Sequence, residues 1–143
     1  MLKITSVKID GLEHGLITDT APNITFSLES DAQGDELESA VITVGSWRRE
    51  TTDQLNNIYD GPLKPFTEYT VHIEAAAKSG KRASASASFQ TGRLDTPWSA
   101  QWITDLSYDF PKNTSPRPMT FRRRFTVKKK LRRAFFNSTA LGI

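Results

Sequence analysis

Apolar and polar positions alternate with a period of two along most of the first ninety or so residues, and the most regular run is Tyr69-Thr70-Val71-His72-Ile73-Glu74-Ala75. On an extended backbone Tyr69, Val71, Ile73 and Ala75 share one face and Thr70, His72 and Glu74 the other, the mark of a strand buried on one side. Leu63–Ala75 is therefore the predicted central strand, with the odd-numbered residues facing the core. Pro65 fixes its own φ and restricts Lys64, and Thr67 can bond to local backbone, so the chain can bend sharply before the strand. A Tyr just past such a bend can bury its ring and return its hydroxyl to the upstream backbone, the tyrosine corner of sandwich domains.

The same period predicts six more strands. Leu2 and Ile4, then Val7 and Ile9, bracket the first, and the one-residue slip of the apolar register near Thr5-Ser6 predicts a bulge. Gly11 to Pro22 reads as a loop or edge segment. Ile24–Leu28 is a second strand, followed by a polar turn at Asp31–Glu36. Ala40, Ile42 and Val44 mark a third strand, Ser46–Thr51 a fourth and exposed one, and Asn56–Asp60 a short fifth. The central strand turns at Ser79-Gly80-Lys81 into a seventh from Ala83 to Thr91. Period two argues against helix even at Ala75-Ala76-Ala77, with Gly80 close behind. Seven short strands separated by turn signals predict a sandwich, a small barrel being the competing architecture.

Leu63-x-Pro65-x-Thr67-x-Tyr69-x-Val71-x-Ile73, closed by Ser86–Gly92, resembles the end of a fibronectin type III domain. The expected fold class is thus all-β, a seven-stranded fibronectin type III or immunoglobulin-like sandwich followed by an incomplete second β segment. Its expected divisions are the sandwich at 1–93, a linker with an aromatic anchor at 94–118, and the opening strands of a second sandwich at 119–143.

A chain of 143 residues has room for one domain of about 100 residues and part of another. With no cysteine, a disulfide framework and a thiolate metal site are both excluded, and a reducing compartment is favoured. The first residues carry charge among their apolar positions, unlike a secretory signal, and no apolar run approaches a membrane span. The expectation is a cytoplasmic protein without membrane contact, for which the Asn-x-Ser/Thr matches at Asn23, Asn113 and Asn137 carry no meaning.

After the linker Gly92–Pro97 the composition changes. Trp98-Ser99-Ala100-Gln101-Trp102-Ile103 is an aromatic anchor, and Ser107 to Pro118 is a proline-rich loop. Two further strands are expected, one with Phe121, Phe125 and Val127 on a shared face, the other from Ala134 to Ile143 with apolar residues on both faces. Two strands alone bury too little surface to be stable, so this tail reads as the opening of a larger structure whose apolar edges seek a partner.

Taken in order, Phe89–Gly92, Trp98–Ile103, Phe121–Val127 and Ala134 to Ile143, together with Glu13–Asp19, Pro22 and Phe26-Ser27-Leu28, are similar to the N-terminal region of bacterial α-L-rhamnosidases of glycoside hydrolase family 78. The resemblance implies a multidomain enzyme: a fibronectin-like first domain, a jelly-roll sandwich, further β domains, and an (α/α)6 barrel. That barrel removes terminal α-L-rhamnose with inversion, using one carboxylic acid and one carboxylate. Both belong to the barrel, so no residue here is assigned a catalytic role and this chain alone is expected not to hydrolyse rhamnosides. Leu28 stands where the family often has Trp, and Val71-His72-Ile73 is less aromatic than the family's sixth strand.

Other constellations have plainer readings. The basic residues Arg117, Arg122, Arg123, Arg124, Lys128, Lys129, Lys130, Arg132 and Arg133 suggest nucleic acid. However, the interleaved Phe121, Phe125, Phe135 and Phe136 lie at strand spacing, and the net charge is only +3. Nucleic acid is not an expected partner. His14 and His72 read as surface residues rather than metal ligands, and His72 should point away from the core. Asp53, Asp60, Glu68 and Glu74 read as solvated acids. No phosphate loop, Ser/His/Asp signature or dinucleotide fingerprint is present, and no cofactor is expected. Trp47 is the candidate for a sugar or partner contact, since indole rings stack on pyranose faces, while Trp98 and Trp102 are expected to form interdomain contacts. The expected partners are other domains of a parent enzyme and, through exposed strands of the tail, a second copy. The functional alternative is a free-standing fibronectin-like module that binds protein or carbohydrate.

Overall fold

The computed structural model describes residues 1–104, 118–131 and 134–139. Two compact units divide the chain, Met1–Thr96 and Pro97–Ile143. The first contains eight strands: β1 (Leu2–Ile9), β2 (Leu16–Ile17), β3 (Asn23–Ser30), β4 (Leu37–Val44), β5 (Trp47–Thr51), β6 (Asn57–Ile58), β7 (Glu68–Ala77) and β8 (Arg82–Thr91). They form a three-stranded sheet ordered β1-β3-β6 and a five-stranded sheet ordered β2-β8-β7-β4-β5.

Alternation explains which side of each sheet is dry. Val71 and Ile73 of β7 are fully buried and Ala75 nearly so, while Thr70 and Glu74 are exposed. Ile42 and Val44 of β4 and Phe89 of β8 add to this layer, and Ile24 and Phe26 of β3 face it from the other sheet. Each fully buried side chain of this size stabilises the fold by about 1.5–3 kcal/mol relative to exposure. In β1 the register against β3 shifts between Ile4 and Ser6, so Ile4 and Ile9 both reach the core although they are five positions apart. The expected bulge is present.

Three turns set the registers. Asp10 and Gly11 have φ of 50° and 78°, the two left-handed positions of a type I′ turn, closed by paired bonds of 2.9 Å between Ile9 and Leu12. Gly45, at φ 60°, opens the two-residue turn that pairs Val44 with Trp47. Gly80, at φ 80°, lies within the loop joining β7 to β8, at the expected position.

Seven of the eight strands overlap those expected, although the central one begins at Glu68 rather than Leu63, because Pro65 and the left-handed Phe66 form the bend before it. The eighth, β2, lies in the segment read as a loop or edge, and it pairs parallel with β8 through Leu16–Gln90 and Ile17–Thr91. In the second unit the expected strand at 121–127 does not form, and none is present over 134–139. The physical reason is that an alternating segment becomes a strand only against a ladder partner, and no strand among the described residues pairs with either segment. Most of the expected loop at 107–118, and residues 140–143 of the last expected strand, lie outside the described residues.

Candidate interaction surfaces

The end of the sandwich from which β8 leaves is built around the bend before β7. Tyr69 Oη accepts the Lys64 backbone N–H at 2.7 Å, completing the tyrosine corner, and the Tyr69 ring stacks on Phe89 with centroids 5.4 Å apart. Thr91, fully buried, holds the same bend from the other side. Its hydroxyl accepts the Thr67 N–H at 2.9 Å and donates to the Lys64 carbonyl at 2.6 Å. Phe66 follows Pro65 with φ 54°, a left-handed conformation costly for an aromatic residue, and its N–H donates to the Gly92 carbonyl at 3.0 Å. Sequence reading identified Tyr69 but missed Thr91, because a Thr at a strand end carries no signal of its own.

Trp47 sits on β5 at the opposite edge of the same sheet. Its ring is half-buried against Tyr59, with centroids 4.9 Å apart and planes inclined by 59°. Its Nε1 donates to Asp60 Oδ1 at 2.5 Å, and Arg49, two residues on, donates to the Ile58 carbonyl at 3.1 Å. Arg49 and Trp47 thereby tie an edge of the five-stranded sheet to β6 of the other sheet and to the residues just after it. Burial raises the Tyr59 pKa above the usual phenol value, with the nearby Tyr69 and Asp60 adding to the rise. Asp60, read from sequence as solvated, is the Trp47 acceptor. Asp53 likewise works within its loop, accepting the Leu55 N–H at 2.7 Å. Trp98 and Trp102 are 44% and 63% exposed.

His72 points away from the core, as expected. On the outer face of the five-stranded sheet its Nδ1 lies 2.9 Å from Ser86 Oγ and its Nε2 3.5 Å from Glu74 Oε1. This Ser–His–Glu row follows from cross-strand neighbours on one pleated face. Ser86 and Glu74 are exposed there and His72 is half-buried. Among the described residues no group of three or more His, Asp or Glu is arranged to hold a metal ion. No helix of the described residues is long and apolar enough to cross a membrane. Arg117, Arg132 and Arg133 of the basic cluster lie outside the described residues; Arg122–Arg124 and Lys128–Lys130 are exposed.

Clefts open on the surface of the first unit. One of about 410 Å³ lies between Ile4–Val7 of β1 and Ala85–Ser88 of β8, with Glu13 and His14 beside it. One of about 370 Å³ crosses β4, β7 and β8 near Glu74 and Arg82. The third, about 340 Å³, has apolar walls from Leu2, Leu28 and Leu37 and an acidic rim of Asp35 and Glu36. Around that rim the loop after β3 is clamped to the β7–β8 turn. Lys81 pairs with Asp31, which also meets the N-terminal amine, and together they lower the Asp31 pKa to about 2. Hydrogen bonds from Ser30 and Ser79 lower that of Asp35, and Lys78 lowers that of Glu36.

The family model described as the Rha78A-like, N-terminal immunoglobulin domain matches residues 4–95. The chain belongs to that family. The Rha78A-like immunoglobulin domain thus accounts for the β-sandwich, and the resemblance read from the sequence holds. Among solved structures, the α-L-rhamnosidase of Streptomyces avermitilis complexed with L-rhamnose shares the fold at TM-score 0.66 and 24% identity, over 75% of this chain and 12% of that one. The α-L-rhamnosidase from Dictyoglumus thermophilum does so at 0.63 and 18%, over 71% and 14%. The native enzyme from Aspergillus terreus gives 0.56 and 19%, over 67% and 12%. This chain therefore spans about one eighth of the enzymes it resembles. Comparison with curated proteins finds no match.

Proposed function

We propose that this chain is a non-catalytic accessory domain of an α-L-rhamnosidase, packing against and positioning neighbouring domains while hydrolysis of terminal α-L-rhamnose, with inversion, takes place elsewhere in the parent. The observation that carries this is the family match over residues 4–95 combined with backbone agreement with three rhamnosidases of which the chain spans so small a share. The clefts support it. Inverting hydrolysis needs one carboxyl held protonated to deliver a proton to the leaving oxygen. The cleft rimmed by Asp35 and Glu36 presents two acids, and hydrogen bonds and Lys78 hold both below the usual carboxylate range. Neither is poised as a general acid.

The test is release of L-rhamnose from an α-L-rhamnoside by the purified chain, for which the blank rate is expected. Turnover that follows the protein through successive columns would contradict the proposal. The positioning role is tested by removing the domain from a complete rhamnosidase: the thermal midpoint should fall while kcat of the surviving folded enzyme holds.

The other reading, a carbohydrate-binding module, would rest on Trp47. Its ring is half-buried on Tyr59 and its only donor is engaged by Asp60, which favours a structural role. Titration with L-rhamnose to millimolar levels should leave tryptophan fluorescence unshifted; a saturable shift abolished by Trp47→Ala would favour the binding module.

A further inference from the structure

Among the described residues the outer edge of β8 lacks a strand partner over most of its length. The Thr91 N–H donates to the Thr67 carbonyl on the β7 side, whereas the Gly92 N–H donates to the Ile17 carbonyl of β2. Backbone groups alternate along a strand, so those of odd-numbered β8 residues point to β7 and those of even-numbered ones point outward. β2 pairs only at Gln90 and Thr91, and no strand among the described residues pairs with the edge formed by Ser84, Ser86 and Ser88.

This edge is also undefended. Proteins blunt open edges with charges, prolines or bulges. β5, at the other side of the same sheet, carries Arg48, Arg49 and Glu50, and β1 carries a bulge and two lysines. Ala83–Ser88 offers only Ala and Ser, and the cleft of about 410 Å³ opens over it, with Glu13 and His14 as its charged or titratable lining residues.

The second unit holds the converse feature. Thr120–Val127 alternates, contains no proline, and forms no strand, and its Phe121, Phe125 and Val127 are 51%, 84% and 51% exposed. Charge matches the two: residues 1–96 carry fourteen acidic side chains against nine basic, and residues 97–143 ten basic against two acidic. We propose that the β8 edge at Ser84–Ser88 accepts Thr120–Val127 of a second copy as an added strand, continuing the ladder that β2 begins. Main-chain bonds supply the affinity, and the alternate Phe side chains fill the cleft beside Ile4 and Val7. Reciprocal exchange between two copies closes a two-fold dimer.

The experiment is sedimentation of the full chain over a concentration series, with amide hydrogen exchange on the same samples. The expected result is a monomer–dimer equilibrium in which Ser84, Ser86 and Ser88 exchange about tenfold or more slowly in the dimer. Ser86→Pro, which removes an outward N–H and the Oγ contact with His72, and Phe121→Ser/Phe125→Ser should each give a monomer with an unchanged far-UV spectrum. A chain that stays monomeric at every concentration overturns the proposal. So does a dimer that survives either variant, or one in which the three serine amides are no slower. If Ser86→Pro does not fold, the exchange comparison on the unmodified chain decides alone.

Discussion

Thr91→Val isolates the hydroxyl that holds the bend between β6 and β7, because valine keeps the shape and removes the oxygen. Thr91 is fully buried, and its Oγ1 serves the Thr67 N–H at 2.9 Å and the Lys64 carbonyl at 2.6 Å. Losing an acceptor for a partly buried N–H costs about 1–3 kcal/mol, while the near-equal volume adds little cavity penalty. We expect about 2 kcal/mol in urea unfolding followed by tryptophan fluorescence, with m unchanged. For a domain of this size that corresponds to a fall in Tm of about 10 °C. Tyr69→Phe, which keeps the stack on Phe89 and drops the bond from the Lys64 N–H, should cost about 1 kcal/mol. Both hydroxyls restrain one bend, so the double variant should cost less than the sum of the singles by about 0.5 kcal/mol or more. A Thr91→Val protein within about 0.5 kcal/mol of wild type would refute the reasoning, since surface-like substitutions fall in that range.

The acid clamp predicts a pH dependence. Asp31, Asp35 and Glu36 have folded pKa values below their unfolded ones, so their contribution is complete above the unfolded values and is lost as pH falls, for Asp31 between 3.8 and about 2. Lys78 and Lys81 are raised, so their contribution is present below 10.5 and is lost as pH rises beyond it. Tm measured against pH should fall at both ends, and Asp31→Asn should flatten the acid limb; an unaltered limb would exclude the clamp. Gly61→Ala places a Cβ 2.4 Å from Tyr59 Oη and 2.5 Å from Cζ, and the buried ring has no room to swing away. The expected cost is about 3 kcal/mol in urea unfolding, with Tyr59→Leu in the same chain recovering part of it. Trp47→Phe breaks the bond to Asp60 and should cost about 1–2 kcal/mol by the same measurement, without altering any response to L-rhamnose.

Where the sequence could be read, it was because one side of a strand had to be dry. Val71, Ile73, Ile24 and Phe26 alternate with polar neighbours, and the slip between Ile4 and Val7 showed the bulge before any register was known. Tyr69 was legible because Pro65 marks the bend in front of it. The short β2 was not, since two residues give no period, although the Asp10-Gly11 pair before it was a hairpin signal. Trp47 looked like an exposed aromatic because its acceptor, Asp60, lies thirteen positions away and the contact exists only once the two sheets are stacked. The tail shows the limit from the other side. Thr120–Val127 has the strand pattern, yet a pattern without a ladder partner leaves Phe125 in solvent.

Met1–Thr96 is a compact unit whose strands form both sheets of the sandwich, and its ability to fold alone is the central claim. Residues 1–96 produced alone should unfold in a single cooperative urea transition whose midpoint matches that of the first unit within the full chain. A fragment that binds hydrophobic dye, lacks near-UV dichroism and unfolds without cooperativity would contradict it.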